Sequence, residues 1–292
     1  MLLPKFDFHE PKTLNEACQI LAEYGQKARI IAGGTDLMVN MKKKILSPEQ
    51  LVSISRISEL KKLDTAGGNI RIGACFTVAE LNASGEIQKH LSALGEGAKN
   101  LGTPLIRNLA TIGGNLGTAR PAADLPPALM AYGAQVVLKS LSGERTLSLD
   151  NFFLGPGFTA VKPDEILTEI RVPALPPGSG AGYINIGVRK GQDCNLVNVA
   201  SFITLDSNGI IQNARIVMGC VGPVPLRALS AEKILIGQKP ESALFLRAGA
   251  AASSDSTPID DFRGSAVYKR DMAGVLTRRT LDIAFHEATH RQ

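Results

Sequence analysis

The first sixty residues alternate between helix-like and strand-like patterns of apolar positions. Residues 13–24 (TLNEACQILAEY) begin with a threonine suited to cap a helix, place Ile20 and Leu21 at helical spacing, and are followed by Gly25 as a stop. The run ARIIAGG from Ala28 predicts a buried strand ending in a turn, and TDLMVNMKKK returns to helical spacing. A second strand is predicted at LVSIS. The turn between the first strand and the second helix is a place where free backbone N–H groups collect.

The alternation continues through the middle of the chain. NIRIGAC is strand-like, TVAELNAS and HLSALGEGAKNLG are helical, and PAADLPPALMAYGAQVVLKS predicts a loop, a helix and then a strand from Gln135. The segment SGERTLSLDNFF is typical of the end of a hairpin. Residues 173–182 (PALPPGSGAG) are rich in proline, glycine and serine, which predicts a linker.

A different pattern follows the predicted linker. VNVASFITLD and NGIIQNARIVMGCVG, joined by a tight turn at Asn208-Gly209, predict antiparallel strands of a separate α+β unit. Helices are expected to close this unit, and the last of them is predicted to place Met272, Leu276 and Ile283 on one face.

Composition limits the classes of function. A chain of 292 residues is expected to form two or three subdomains, and 44% hydrophobic with 20% charged residues is ordinary globular composition. No apolar run is long enough to span a bilayer and no signal peptide is evident, so a cytoplasmic location is expected. The net charge of +5 is spread along the chain, which disfavours nucleic acid as a partner.

Neither the cysteines nor a histidine motif indicates a metal site. The four cysteines are isolated and lack ligand-like spacing, so no zinc or iron–sulfur site is expected in this chain. Residues 286–290 read His-Glu-Ala-Thr-His, a literal H-E-x-x-H motif. No third ligand follows it, and a catalytic zinc helix would have to be buried. We therefore predict no metal here and expect both histidines to be dispensable for activity.

Two glycine-bearing stretches carry the strongest chemical signal. IIAGGTDL (30–37) and NLATIGGNLGTARPAADLP (108–126) lie about eighty residues apart, and each places paired glycines beside a small hydroxyl or amide. Glycine lets peptide N–H groups approach a ligand without an intervening Cβ, so such loops suit a phosphate. The Rossmann and P-loop spacings are both absent. Together the stretches indicate a diphosphate held from two sides by a different architecture.

These stretches resemble the flavin-binding medium subunit of molybdenum hydroxylases, the xanthine dehydrogenase and carbon monoxide dehydrogenase family. AGGTDL is similar to that family's first FAD loop and IRNLATIGGN (106–115) to its second, with Asp124 nine residues after Asn115. DEIL (164–167), VGPVPLRA and DFRGSAVYKR extend the resemblance over nearly the whole chain.

The resemblance implies both a fold and a set of flavin contacts. The fold is α+β, with a two-lobed FAD-binding domain of the vanillyl-alcohol-oxidase/PCMH type at 1–177 (lobes about 1–57 and 58–177). A C-terminal α+β domain with an antiparallel sheet follows at 178–292. The residues implied to bind FAD are Ile30, Ile31, Ala32, Gly33, Gly34, Thr35, Asp36, Leu37, Leu101, Thr111, Ile112, Gly113, Gly114, Asn115, Thr118, Asp124, Leu167 and Asn185.

The residue types suit these roles. Backbone N–H groups at 33–36 and 113–115 are expected to cradle the pyrophosphate, with the hydroxyls of Thr35, Thr111 and Thr118 as further donors. Asp124 would repel a phosphate and is therefore expected to face a ribose or ribityl hydroxyl or an amine.

The chain departs from the family pattern at two positions. Asn185 stands four residues before Arg189, where many members carry a lysine close to the flavin ring. A cation there would stabilise the anionic reduced flavin, so Asn185 leaves the potential open. Arg120 replaces a residue that is often small or acidic, and it either faces a phosphate or points to solvent.

The implied function is electron transfer, with no residue of this chain acting as acid, base or nucleophile. FAD would take electrons from the [2Fe–2S] clusters of a small partner subunit and pass them to NAD+, a quinone or O2. The molybdenum chemistry would lie in a large molybdopterin-binding subunit, and the assembly would be a dimer of heterotrimers. Two alternatives stay open: a self-sufficient FAD-dependent oxidoreductase acting on its own substrate, and a non-enzymatic module that uses the glycine loops only as turns.

Overall fold

A computed structural model describes residues 3–189, 191 and 193–290. The chain begins with a three-stranded parallel sheet in the order β1-β3-β2, formed by Asp7–His9, Gln50–Ser53 and Ala28–Ile31 respectively. Helices α1 (Leu14–Tyr24) and α2 (Leu37–Lys42) connect the strands. The predicted start of α1 is confirmed, because Thr13 and Glu16 form a reciprocal capping box.

A five-stranded antiparallel sheet forms the second unit, in the order β4-β5-β10-β6-β7. Its strands are β4 (Leu63–Asp64), β5 (Ile70–Gly73), β6 (Gln135–Ser140), β7 (Gly143–Ser148) and β10 (Ile166–Val172). The small pair β8 (Phe153–Gly155) and β9 (Phe158–Thr159) lies between β7 and β10 in sequence. Six helices join β5 to β6: α3 (Val78–Ala83), α4 (Gly85–His90), α5 (Ser92–Asn100), α6 (Pro104–Arg107), α7 (Ile112–Gly117) and α8 (Leu125–Ala131).

The remainder of the chain forms a four-stranded antiparallel sheet with three helices. The strands follow in sequence order: β11 (Ser179–Ile186), β12 (Val197–Leu205), β13 (Ile211–Gly219) and β14 (Leu226–Arg227). The helices are α9 (Leu229–Leu235), α10 (Ser242–Asp255) and α11 (Ala266–His290). The predicted α+β class and the C-terminal antiparallel sheet are therefore confirmed.

The C-terminal sheet packs on both of its faces, which explains the continuous apolar run of β12. Ala200 and Phe202 join the core of the second unit, where α5 packs on β11 and α8 on β12 and β13. Val199 and Ile203 point to the other side and join the core formed with α9, α10 and α11. A strand buried on both faces loses the alternation that marks a half-exposed strand.

The predicted linker at 173–182 is wrong in its second half. Ser179–Gly182 belong to β11 and are buried. A Cβ at Gly180 would lie 2.1 Å from the backbone oxygen of Ala284, and one at Gly182 would lie 2.4 Å from that of Thr280. These glycines are present because α11 crosses the strand closely, and not because the segment is a flexible connection.

The predicted face of the last helix is also only partly right. Leu276 is buried, but Ile283 is 43% exposed. The buried stripe of α11 instead contains small residues, including Ala273, Thr277 and Ala284. Close packing against β11 selects small side chains, which a search for large apolar residues does not find. No helix among the described residues combines the length and apolar character needed to cross a membrane.

Candidate functional site

The first glycine stretch forms the loop between β2 and α2. Its N–H groups at residues 33–36 have no hydrogen-bond partner in the part of the chain that the structure describes. Gly34 has φ of 69°, which L-residues rarely adopt. Four adjacent backbone donors are therefore available to an acceptor outside the loop, and this arrangement suits an anion such as a phosphate.

This loop also contacts the second unit directly. A Cβ on Gly33 would lie 1.7 Å from the backbone oxygen of Leu109. The absence of a side chain at Gly33 thus allows the first loop to pack against the backbone at the start of the second glycine stretch. The structure therefore brings the two stretches together, as expected for a ligand held from two sides.

The second glycine stretch differs from the expected loop, because its paired glycines lie in the first turn of helix α7. Thr111 caps this helix, and its Oγ1 accepts the N–H of Gly114 at 3.1 Å. The N–H groups of Ile112 and Gly113 donate to Phe76 and Ala74 oxygens at 3.0 and 2.9 Å. The N–H of residue 115 bonds back to residue 111. These N–H groups already have partners within the fold, and the cradling of a pyrophosphate by residues 113–115 stays a prediction.

The side chains of this helix are better placed to meet a ligand. The Oδ1 atom of Asn115 is buried and has no hydrogen-bond partner among the described residues. Buried polar atoms are nearly always paired, so this oxygen suits a hydroxyl or N–H donor of a bound molecule. Thr118 uses its hydroxyl hydrogen on the Asn115 backbone oxygen at 3.0 Å, so this hydroxyl is left as an acceptor and not the donor that was expected.

Asp124 lies at the start of α8 in a polar network that reaches the C-terminal sheet. Its Oδ1 accepts from Asn195 Nδ2 at 2.7 Å and from the Tyr183 hydroxyl at 3.3 Å. Asn185 Nδ2 in turn donates to Asn195 Oδ1 at 2.7 Å. Asn198 Nδ2 donates to the Tyr183 hydroxyl at 3.1 Å. Two predicted site residues, Asp124 and Asn185, are thus joined through Asn195.

Burial controls the charge of this network. It raises the pKa of Asp124 to about 6, although the hydrogen bonds from Asn195 and Tyr183 work in the opposite direction. Burial also raises the pKa of the Tyr183 phenol well above its ordinary value, with the neighbouring Asp124 as a second cause. Tyr183 is therefore a neutral hydrogen-bond donor throughout the physiological pH range.

The remaining predicted residues fall into two groups. Ile30 and Ile31 end β2, Ala32 and Thr35 lie in the first loop, and Leu37 begins α2, all of them only partly buried. Leu101, Ile112 and Leu167 belong to the buried core of the second unit, where α7 packs against β10. This second group supports the helix that carries Asn115.

Sequence reasoning missed Asn195, Tyr183 and Asn198. The signal that could have found the two asparagines is the segment from Asn195 to Asn198, in which one amide precedes an apolar strand and the other lies within it. Amides in such a position need buried partners. The sequence does not show that those partners come from residues 122–124, which lie more than seventy positions earlier.

The H-E-x-x-H segment at the end of α11 is used for packing. Glu287 accepts the Ser92 hydroxyl at 2.7 Å and the N–H of Ala181 at 2.6 Å. His286 is exposed, and its backbone oxygen bonds to His290 Nδ1 at 2.6 Å. Among the described residues, no group of three or more His, Cys, Asp or Glu side chains is arranged to hold a metal ion.

Comparison with known proteins agrees with this geometry. Residues 4–175 match the family described as the FAD binding domain in molybdopterin dehydrogenase. The chain belongs to this family. Residues 183–284 match the CO dehydrogenase flavoprotein C-terminal domain. The predicted family, the FAD cofactor and the assignment to an oxidoreductase flavoprotein subunit are thereby confirmed.

Individual relatives cover nearly the full chain. The carbon monoxide dehydrogenase medium chain of Hydrogenophaga pseudoflava is 35% identical over 98% of this chain and 99% of its own length. A subunit of the 6-hydroxypseudooxynicotine dehydrogenase complex of Paenarthrobacter nicotinovorans is also 35% identical, over 98% of this chain and 96% of its own. A solved carbon monoxide dehydrogenase from Hydrogenophaga pseudoflava, which lacks the Mo-pyranopterin moiety of its molybdenum cofactor, has a TM-score of 0.94 at 36% identity, covering 98% and 99% of the two chains.

Proposed function

We propose that this medium subunit holds one FAD at the junction of its first two units and relays electrons from a partner subunit to an external acceptor. The observation that carries the proposal is the row of unpaired N–H groups at 33–36, which lies next to the second glycine stretch. The orphaned Oδ1 of Asn115 supports it, because this oxygen requires a donor that the described protein does not supply. Bound FAD would supply a carrier that accepts and releases electrons one or two at a time.

The residues of this chain bind and orient the flavin in this proposal and move no proton. The first loop would hold the diphosphate, and Asn115 would accept a hydrogen bond from the flavin or its ribityl chain. Asp124 would accept from a hydroxyl with Oδ2, since its Oδ1 is already occupied by Asn195 and Tyr183. We propose FAD-binding lobes at about 1–57 and 58–177 and a C-terminal domain from 178. The three larger sheets support these boundaries, because each lies within one of the proposed units.

Electrons would enter from a small subunit carrying [2Fe–2S] clusters, which itself receives them from a large molybdopterin-binding subunit. Among the described residues no group of three or more Cys, His, Asp or Glu side chains is arranged to hold a metal ion, so this chain offers no site for such a cluster there. An apolar surface beside the first loop supports docking of a partner, since Leu105 and Leu109 are 77% and 58% exposed. The interface is expected to exceed about 1,000 Å². The assembly would be a dimer of heterotrimers.

The experiment is to co-express this chain with candidate large and small subunits, purify the complex through a tag on this chain, and follow flavin absorbance. Substrates would be drawn from N-heterocycles, aldehydes and carbon monoxide, and NAD+, a quinone and O2 would be tested as acceptors. Rapid flavin bleaching in the complex and none in the isolated chain is the expected result. Substrate-driven bleaching of the isolated chain would instead establish a self-sufficient oxidoreductase. A complex that contains no flavin would refute the relay.

A further inference from the structure

Arg120 reaches from the second unit to the first glycine loop. It follows Ala119, a buried residue with φ of 45°, between α7 and α8. A positive φ is unfavourable for a residue with a Cβ, and it persists where the surroundings impose it. The backbone oxygen of Ala119 accepts the N–H of Gly157 at 2.9 Å, which holds this turn in place. The turn directs Arg120 toward the loop.

The guanidinium group of Arg120 uses only one of its nitrogens there. Its Nη2 lies 3.6 Å from Asp36 Oδ1 and 3.4 Å from Asn40 Oδ1. Asn40 Nδ2 donates to the other carboxylate oxygen of Asp36 at 2.7 Å. The Nε and Nη1 groups of Arg120 have no partner among the described residues, and the side chain is 53% exposed. Planar N–H donors thus remain free beside the loop, in the arrangement that suits a phosphate.

The charge of Asp36 favours a cation at this position. The carboxylate of Asp36 belongs to the same loop as the free N–H groups, so it would repel a diphosphate bound there. Its contact with Arg120 offsets this repulsion. Resting on the proposed function, we propose that Arg120 binds the FAD diphosphate through Nε and Nη1 while Nη2 holds Asp36. It thereby fastens the first unit to the second around the cofactor.

The test measures dissociation constants of the FAD-free protein for FAD, ADP and adenosine by titration. R120A is expected to raise the dissociation constants for FAD and ADP by roughly 10- to 100-fold, the range for a charge-assisted hydrogen bond. The R120A dissociation constant for adenosine should equal that of wild type, and R120K should recover part of the lost affinity for FAD and ADP. R56A is the matched control, because Arg56 is an exposed arginine of the first unit that pairs only with Glu10 among the described residues.

A double variant separates phosphate binding from mere neutralisation of Asp36. If Arg120 contacts the diphosphate, R120A/D36N still binds FAD more weakly than D36N alone. Equal affinity of these two proteins, or an FAD dissociation constant of R120A within twofold of wild type, would overturn the proposal. R120Q serves the same comparison if R120A does not fold. Wild-type protein that binds no FAD would instead refute the proposed function itself.

Discussion

Replacing Asp124 with asparagine should stabilise the FAD-free protein while weakening its affinity for FAD. Burial raises the pKa of this carboxyl from an ordinary 3.8 to about 6, so its ionised form is unfavourable in the folded state. An amide oxygen at the same position can still accept from Asn195 Nδ2 and from the Tyr183 hydroxyl. The substitution therefore removes the buried charge and keeps both hydrogen bonds.

The magnitude follows from the pKa difference. Between pH 4 and 6 the folded protein binds more protons at Asp124 than the unfolded chain, so the free energy of unfolding falls as the pH rises through this window. The difference between 3.8 and about 6 corresponds to a loss of up to roughly 3 kcal/mol, complete by about pH 7. In D124N the free energy of unfolding does not fall in this way, because the amide does not ionise. The affinity of D124N for FAD should fall by roughly 1 to 3 kcal/mol if the carboxylate accepts a hydroxyl of the cofactor.

Denaturant unfolding of the FAD-free proteins at several pH values between 4 and 7.5 measures the change in stability. FAD titration at pH 7.5 measures the change in affinity. The difference between variant and wild type should grow with pH and level off near pH 7. D271N is the control, because Asp271 is exposed on α11. A variant that is less stable than wild type at pH 7, or a difference that does not change with pH, would refute the reasoning.

Three further substitutions test packing at the first loop and at the end of α11. G33A should lower the melting temperature and prevent FAD loading, because its Cβ would lie 1.7 Å from the Leu109 oxygen. G85A is the control and should change neither property, because a Cβ there meets nothing within 4 Å. Thermal melting and flavin absorbance measure the two properties. E287A should lower the free energy of unfolding by roughly 1 to 3 kcal/mol, since two donors lose their acceptor, and unchanged denaturant unfolding would contradict this. H286A should leave FAD content and melting temperature unchanged, because His286 is exposed.

Local signals in the sequence predicted the helix start at α1 and the strand β2 correctly. The capping threonine of α1 and the strand that ends at the first glycine loop depend on neighbouring residues, and these predictions are confirmed. The first loop kept its N–H groups free because its neighbours in sequence are a strand end and a helix start. Predictions of this kind succeed because the interactions that decide them are short in range.

Long-range contacts decided the features that the sequence did not predict. The N–H groups of Ile112 and Gly113 are used by residues 76 and 74, on a segment more than thirty positions earlier. Gly180 was misread because a packing glycine and a linker glycine are identical in sequence, and only the crossing helix distinguishes them. Asn195 and Asp124 meet through the packing of the C-terminal sheet on the second unit, which local patterns do not encode.

The most direct test of the account is the identity and amount of flavin in the purified protein. Acid precipitation followed by chromatography of the supernatant separates FAD from FMN and shows whether the flavin was covalently bound. We predict about one FAD per chain, all of it released, because the first loop offers free backbone donors and no cysteine or histidine lies in either glycine stretch. Finding FMN, a flavin that stays with the precipitate, or no flavin in freshly assembled complex would contradict the account.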